Sequence, residues 1–192
     1  MQSARQAYFA ANDFGADGGY GSPWVDLSLG PIPLGFPNWS SRKVAVAYHD
    51  LHHILTGYQT DWPGELEIAA WELGAGCKRM VAAWLLNLPA LAGGALVMPR
   101  RTFAAFVRGR RSRSLYGESL DAVLGLSVEA ARAKLGVPDG AAPRQAGDRA
   151  AFAAAAVAGA VLGALLVPLV GPPFVLVGWA YRRLAGRKST AG

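Results

Sequence analysis

The sequence predicts an all-α fold: a helical domain organised around an antiparallel helix pair, followed by a C-terminal apolar membrane segment or a helical hairpin. Three observations point there. Helix start and stop residues frame two adjacent segments, the first from Ser40 or Ser41 to Gly57 and the second from Thr60 or Asp61 onward. The chain has 192 residues, 52% hydrophobic and only 17% charged. That exceeds a domain prior of about 150 residues by little, and it excludes both a large multidomain enzyme and overall disorder. Ala151 to Trp179 contains no ionisable residue at all.

Taken in order, residues 1–37 read as an irregular arm, because Asn12 to Pro37 is rich in Gly and Pro with few periodic apolar positions. A helical domain follows over 38–138. In its first helix Val44, Ala47, Tyr48, Leu51 and Leu55 form the apolar stripe, and Arg42, Val46, His49 and His53 lie opposite. The second helix admits Pro63 in its first turn and runs through Leu66, Ile68, Ala69, Trp71 and Leu73, with Trp62 and Trp71 read as core. Met80 to Met98 is apolar but holds Pro89 and Gly93-Gly94, which predicts a broken helix, buried or dipping into a membrane interface. Leu120 to Leu135 reads as a short amphipathic helix with Ser127 capping a second piece. Residues 139–150 read as linker.

The tail, 151–192, is the membrane candidate. Pro168, Pro172 and Pro173 make it one kinked span or a hairpin returning to the same side, and Arg182, Arg183, Arg187 and Lys188 follow at once. This pattern places the protein at the cytoplasmic face of a membrane, the bacterial inner membrane fitting best.

Lysine and arginine outnumber acids 19 to 13, for a net charge of +6, which favours an anionic neighbour. The densest positive stretch holds Arg100, Arg101, Arg108, Arg110, Arg111 and Arg113 between two apolar segments. It is therefore read as a site for anionic membrane-lipid head groups rather than nucleic acid. A lone cysteine, Cys77, excludes a disulfide scaffold and reads as a small buried residue. The first residues lack an uninterrupted apolar run, so no secretory signal is expected there.

All three histidines fall within one short stretch. In a helix His49 and His53 are four apart and project from one face, as two imidazoles must to share an ion. Asp50 is one residue on, and a tight connection places Glu65 in the first turn of the returning helix. A divalent metal held by His49, Asp50, His53 and Glu65 is the chemistry this set suits, zinc best, with iron and manganese as alternatives and Asp50 and Glu65 as candidate catalytic groups. Gly64 either permits close approach of a ligand or facing helix, or is a loop residue without a role.

The pattern His-Asp-x-x-His, eleven residues, then Glu, matched at His49, Asp50, His53 and Glu65, resembles the signature of the coenzyme Q (ubiquinone) biosynthesis protein 4 family. Gly57 and Gly64-Glu65 resemble it too. The similarity runs from about Arg42 to Leu88 and extends to the Leu-Gly-Val-Pro at Leu135–Pro138. It implies an all-helical, membrane-associated protein with those four residues as ligands of a divalent metal near a prenyl-lipid tunnel. It further implies action on the aromatic head group of a prenylated quinone precursor, by oxidative decarboxylation at C1, and organisation of other quinone-synthesis proteins. A homodimer is compatible with this. His52 is outside the pattern and reads as a supporting or exposed residue. The glycine-rich arm and apolar tail depart from the family. Two other classes fit the same residues: a zincin-like metallohydrolase with Asp50 as base, and a non-catalytic membrane scaffold or lipid-binding protein whose metal stabilises the helix pair.

Overall fold

The computed structural model describes the backbone of residues 1–29 and 31–189, and their side chains except at 27–29 and 185–189. The protein is mostly helical, with 67% helix and 5% strand. The elements are α1 (Gln2–Ala11), β1 (Trp24–Leu29), β2 (Ile32–Pro37), α2 (Ser40–Thr56), α3 (Trp62–Ala75), α4 (Val81–Val97), α5 (Pro99–Arg110), α6 (Leu120–Leu124), α7 (Val128–Leu135) and α8 (Asp148–Ser189).

The punctuation expected for α2 and α3 is realised. Gly57 ends α2 in the left-handed region at φ 77°, where a side chain is disfavoured. Asp61 caps α3 by accepting from the Gly64 N–H, with Pro63 in the first turn. Leu51, Leu55, Ile68, Trp71 and Leu91 are fully buried and form the centre of the core. α3 meets α5 backbone to backbone: a Cβ on Gly74 would lie 2.2 Å from the Phe106 carbonyl oxygen, and one on Gly109 2.1 Å from that of Trp71. Ser127 caps α7 through the Ala130 N–H, as its position predicts.

Several expectations are corrected. The arm over 1–37 contains a helix and an antiparallel hairpin, in register from Trp24 opposite Pro37 to Leu29 opposite Ile32. Tertiary contact supplies what local periodicity lacks: Phe36 stacks on Phe174 and Trp24 on Tyr181 of α8. α4 is one continuous helix despite Pro89 and its glycines, and it lies half-buried against α3 and α8. The tail is one helix, not a hairpin, and it begins at Asp148, inside the expected linker. Asp148 sets that start, accepting from the Gln145 N–H at 2.7 Å and pairing with Arg110 and Arg111. Trp71 is core, but Trp62 is 60% exposed. Cys77 is fully buried. The side chains of Arg187 and Lys188 lie outside the described residues.

Candidate metal centre

Residues 49 and 53 sit one turn apart on α2, facing the start of α3. The donors meet: His49 Nε2 and His53 Nε2 are 3.1 Å apart, and Glu65 places Oε2 3.3 Å from the first and Oε1 3.4 Å from the second. Glu65 in the first turn of α3 reaches His49 and His53, and Glu72 two turns later reaches His49 and His52. Gly64 has a local role: a Cβ there would fall 2.0 Å from the Gln59 carbonyl oxygen. The glycine lets the connecting loop close tightly enough to bring Glu65 back to α2.

The other ring nitrogens fix the tautomers. His53 Nδ1 donates to the Tyr58 carbonyl at 2.9 Å and His49 Nδ1 donates to Glu72 Oε1 at 3.0 Å. With each Nδ1 committed, both Nε2 atoms face one point, where a proton carried by His49 or a metal ion can be shared between them. Tetrahedral donors about 2.0 to 2.2 Å from zinc stand about 3.3 to 3.6 Å from one another; the two imidazole nitrogens lie slightly inside that range, and with one oxygen from Glu65 the three ligand atoms fall within 4.8 Å of one another. The carboxylate and backbone partners of the two Nδ1 atoms are the kind of support that orients histidine ligands on a metal. Burial acts against a charged His49, but Glu72 and Glu65 outweigh it and raise its affinity for a proton well above the ordinary range. Burial likewise acts to raise Glu65, and the two histidines prevail, holding its carboxyl down at about 2. The pocket is a receptor for positive charge.

Glu72 was not anticipated from the sequence. It is fully buried on α3 and accepts four side-chain donors: His49 and His52 on Oε1, Tyr116 at 2.7 Å and Asn87 on Oε2. Those four bonds fill a carboxylate's lone pairs. Burial opposes its ionisation, yet the histidines hold it well below the usual carboxylate range. Only its spacing, seven residues and hence two turns beyond Glu65, pointed toward the same face. His52 is corrected from exposed to fully buried: its Nδ1 donates to Glu72 at 2.7 Å and its Nε2 accepts the Leu115 N–H at 2.9 Å. Burial lowers its proton affinity, in keeping with a neutral ring.

Asp50 is placed beside the centre and not among the converging donors. One residue is about 100° of helix, and its buried carboxylate faces the N-terminal arm, where the Tyr20 hydroxyl donates to it. Burial pushes its carboxyl up, partly offset by Tyr20 and the histidines. Tyr8 of α1 stacks on the His53 ring at 5.9 Å. The arm thus walls the site with two tyrosines.

The arginine stretch is largely consumed by internal contacts. Arg101 pairs with Glu67, Arg108 donates to the Thr56 and Pro138 carbonyls, Arg110 and Arg111 hold Asp148, and Arg113 donates to the Lys134 carbonyl. Arg100 is exposed. Most of these cations thus also fasten the fold together. Comparison with protein-family models, curated proteins and solved structures finds no match to this chain.

Proposed function

We propose that the protein is a membrane-associated, metal-binding component of prenylquinone synthesis, with one divalent ion held by His49, His53 and Glu65, zinc fitting the donors best. The observation that carries the reading is the convergence of two imidazoles and a carboxylate, whose ligand atoms lie within 4.8 Å of one another. The link to a prenylated aromatic head group comes from the His-Asp-x-x-His and Glu pattern. The apolar α8, long enough to cross a bilayer, agrees with a lipid substrate.

A divalent ion held by His49, His53 and Glu65 would supply Lewis-acid stabilisation of an oxygen on the head group. Among the chain's own residues, Glu72 keeps the His49 Nδ1 proton in place and Tyr58 does the same for His53. Asp50, raised by burial and hydrogen-bonded to Tyr20, is the group suited to exchange a proton with the substrate. Oxidative decarboxylation at C1 is the reaction the resemblance implies, with assembly of other quinone-synthesis proteins as a second role. The test is metal and lipid analysis of the chain purified in mild detergent. Near-stoichiometric metal with a co-purified prenylated phenol or benzoate is expected. Folded protein that carries neither, after equilibration with zinc, overturns the reading.

A further inference from the structure

α8 is far longer than a bilayer requires. The 35 residues from Asp148 to Arg182 rise about 51 Å, against about 30 Å of hydrocarbon. Yet the body of the protein accompanies the helix along that length. At the start Asp148 is bound to Arg110 and Arg111. A Cβ on Gly159 would lie 2.0 Å from the Leu88 carbonyl oxygen of α4, and Gly163 faces Pro89. Farther on, Phe174 stacks on Phe36, Gly178 touches the backbone of Gly35 and Pro33, and Arg182 pairs with Asp26. From Gly163 at Pro89 to Phe174 at Phe36 the helix rises about 16 Å.

A crossing by α8 would therefore carry α4 and the β-hairpin into the hydrocarbon with it. α4 is apolar enough, but each strand of a two-stranded sheet keeps one edge of unpaired N–H and C=O groups. In lipid such groups find no hydrogen-bond partner, which is why only helices and closed barrels span it. The hairpin also brings the Asp26 carboxylate. Meanwhile the sides of α8 and α4 turned away from the body are uniformly apolar and exposed, including Val161, Leu165, Leu169 and Leu176 on α8, and Leu86 and Leu96 on α4. Exposed cations mark the ends of these helices: Lys78 and Arg79 before α4, Arg100 after it, Arg149 at the head of α8, and Arg183 over the Trp179 ring near its far end. Apolar surface edged by cations and tryptophan fits an anionic lipid interface.

We propose that α4 and α8 form one docking face that lies in the plane of a single lipid leaflet, with α8 embedded lengthwise rather than crossing. This deepens the membrane association put forward above and rests on it. The test uses the full chain in a Cys77→Ala background with two reporters, Ser3→Cys at the exposed start of α1 and Ser189→Cys at the end of α8. The protein is reconstituted into sealed vesicles of phosphatidylcholine and phosphatidylglycerol, treated with a membrane-impermeant maleimide, and weighed by intact mass. An in-plane helix leaves both reporters on one side, so each molecule is expected to carry two labels or none. A population dominated by singly labelled molecules shows α8 to cross and overturns the proposal. A second arm places Leu96→Glu on α4, with the expectation of at least a tenfold loss of vesicle binding; unchanged binding removes α4 from the face and overturns it as well. If the unmodified protein does not float with these vesicles, or self-associates through this face instead, the membrane reading itself fails, an outcome separate from the question of sidedness.

Discussion

Glu65 and Glu72 are two turns apart on the same helix, touch the same histidine, and do opposite things. Glu72 is closed: fully buried, with four donors on its oxygens, it has no capacity left for a ligand. Glu65 is open: its side chain is 42% exposed, and it faces two imidazole nitrogens whose protons are committed elsewhere. Residue type and spacing are shared, so neither distinguishes a ligand from its support. What distinguishes them is whether the surrounding donors match the lone pairs or fall short of them.

The largest effect expected is on folding. Glu72→Ala leaves two histidines, a tyrosine and an asparagine without their acceptor, and breaking a buried charged network of this kind costs about 3 to 5 kcal/mol. Urea denaturation of the metal-free protein reads this directly; a variant as stable as wild type would dissolve the distinction between the two carboxylates. Next, Glu65→Gln, His49→Ala and His53→Ala should each weaken metal binding by more than the roughly 10 to 100-fold lost when a supporting group is removed. Their metal-free stability should stay closer to wild type than that of Glu72→Ala. Metal competition with a chromophoric chelator measures this, and retention of wild-type affinity in all three would show that the open cluster holds no metal. His52→Ala separates the clusters from the other side: it should cost about 1 to 3 kcal/mol, since the Leu115 N–H loses its acceptor, and keep metal binding within the range of a supporting residue.

A third carboxylate extends the comparison to the junction with α8. Asp148 is held below its ordinary range first by the Gln145 N–H and then by Arg111 and Arg110, against the effect of burial. A carboxyl whose proton affinity is lower in the folded than in the unfolded protein contributes stability that is complete above the unfolded-state pKa and lost as pH falls through the folded one. Stability should therefore decline on acidification below about pH 4, and Asp148→Asn should flatten that part of the profile. Urea midpoints followed across this range test it, and identical profiles for the two proteins would remove Asp148 as the latch at the head of α8.

The parts of the fold that were legible in the sequence are those whose causes lie within a few residues. Gly57, Asp61 and Pro63 bound α2 and α3 because caps act on the adjacent turn, and His49 and His53 were paired because four residues make about one turn. The hairpin escaped notice because Pro and Gly dominate its surroundings: Val25, Leu27 and Leu29 alternate with Asp26 and Ser28, and Ile32, Leu34 and Phe36 with Pro33 and Gly35, and the aromatic contacts that hold it come from α8, some 150 residues away. Pro89 misled for a related reason. Its interruption of α4 is local, whereas the packing that keeps the helix continuous comes from α3 and α8.

By itself the sequence determined that the protein is mostly helical, that two histidines and a glutamate can share a pocket, and that a long apolar segment closes the chain. Each follows from periodicity, capping and composition, which are properties of neighbouring residues. Only the tertiary structure decided that Asp50 turns to Tyr20, that His52 and Glu72 are buried together, and that the arginines hold carbonyls and acids of the protein itself. Those outcomes depend on which lone pairs and donors remain unpaired once distant helices have packed, a balance struck across α2, α3, α4 and the segment after α5.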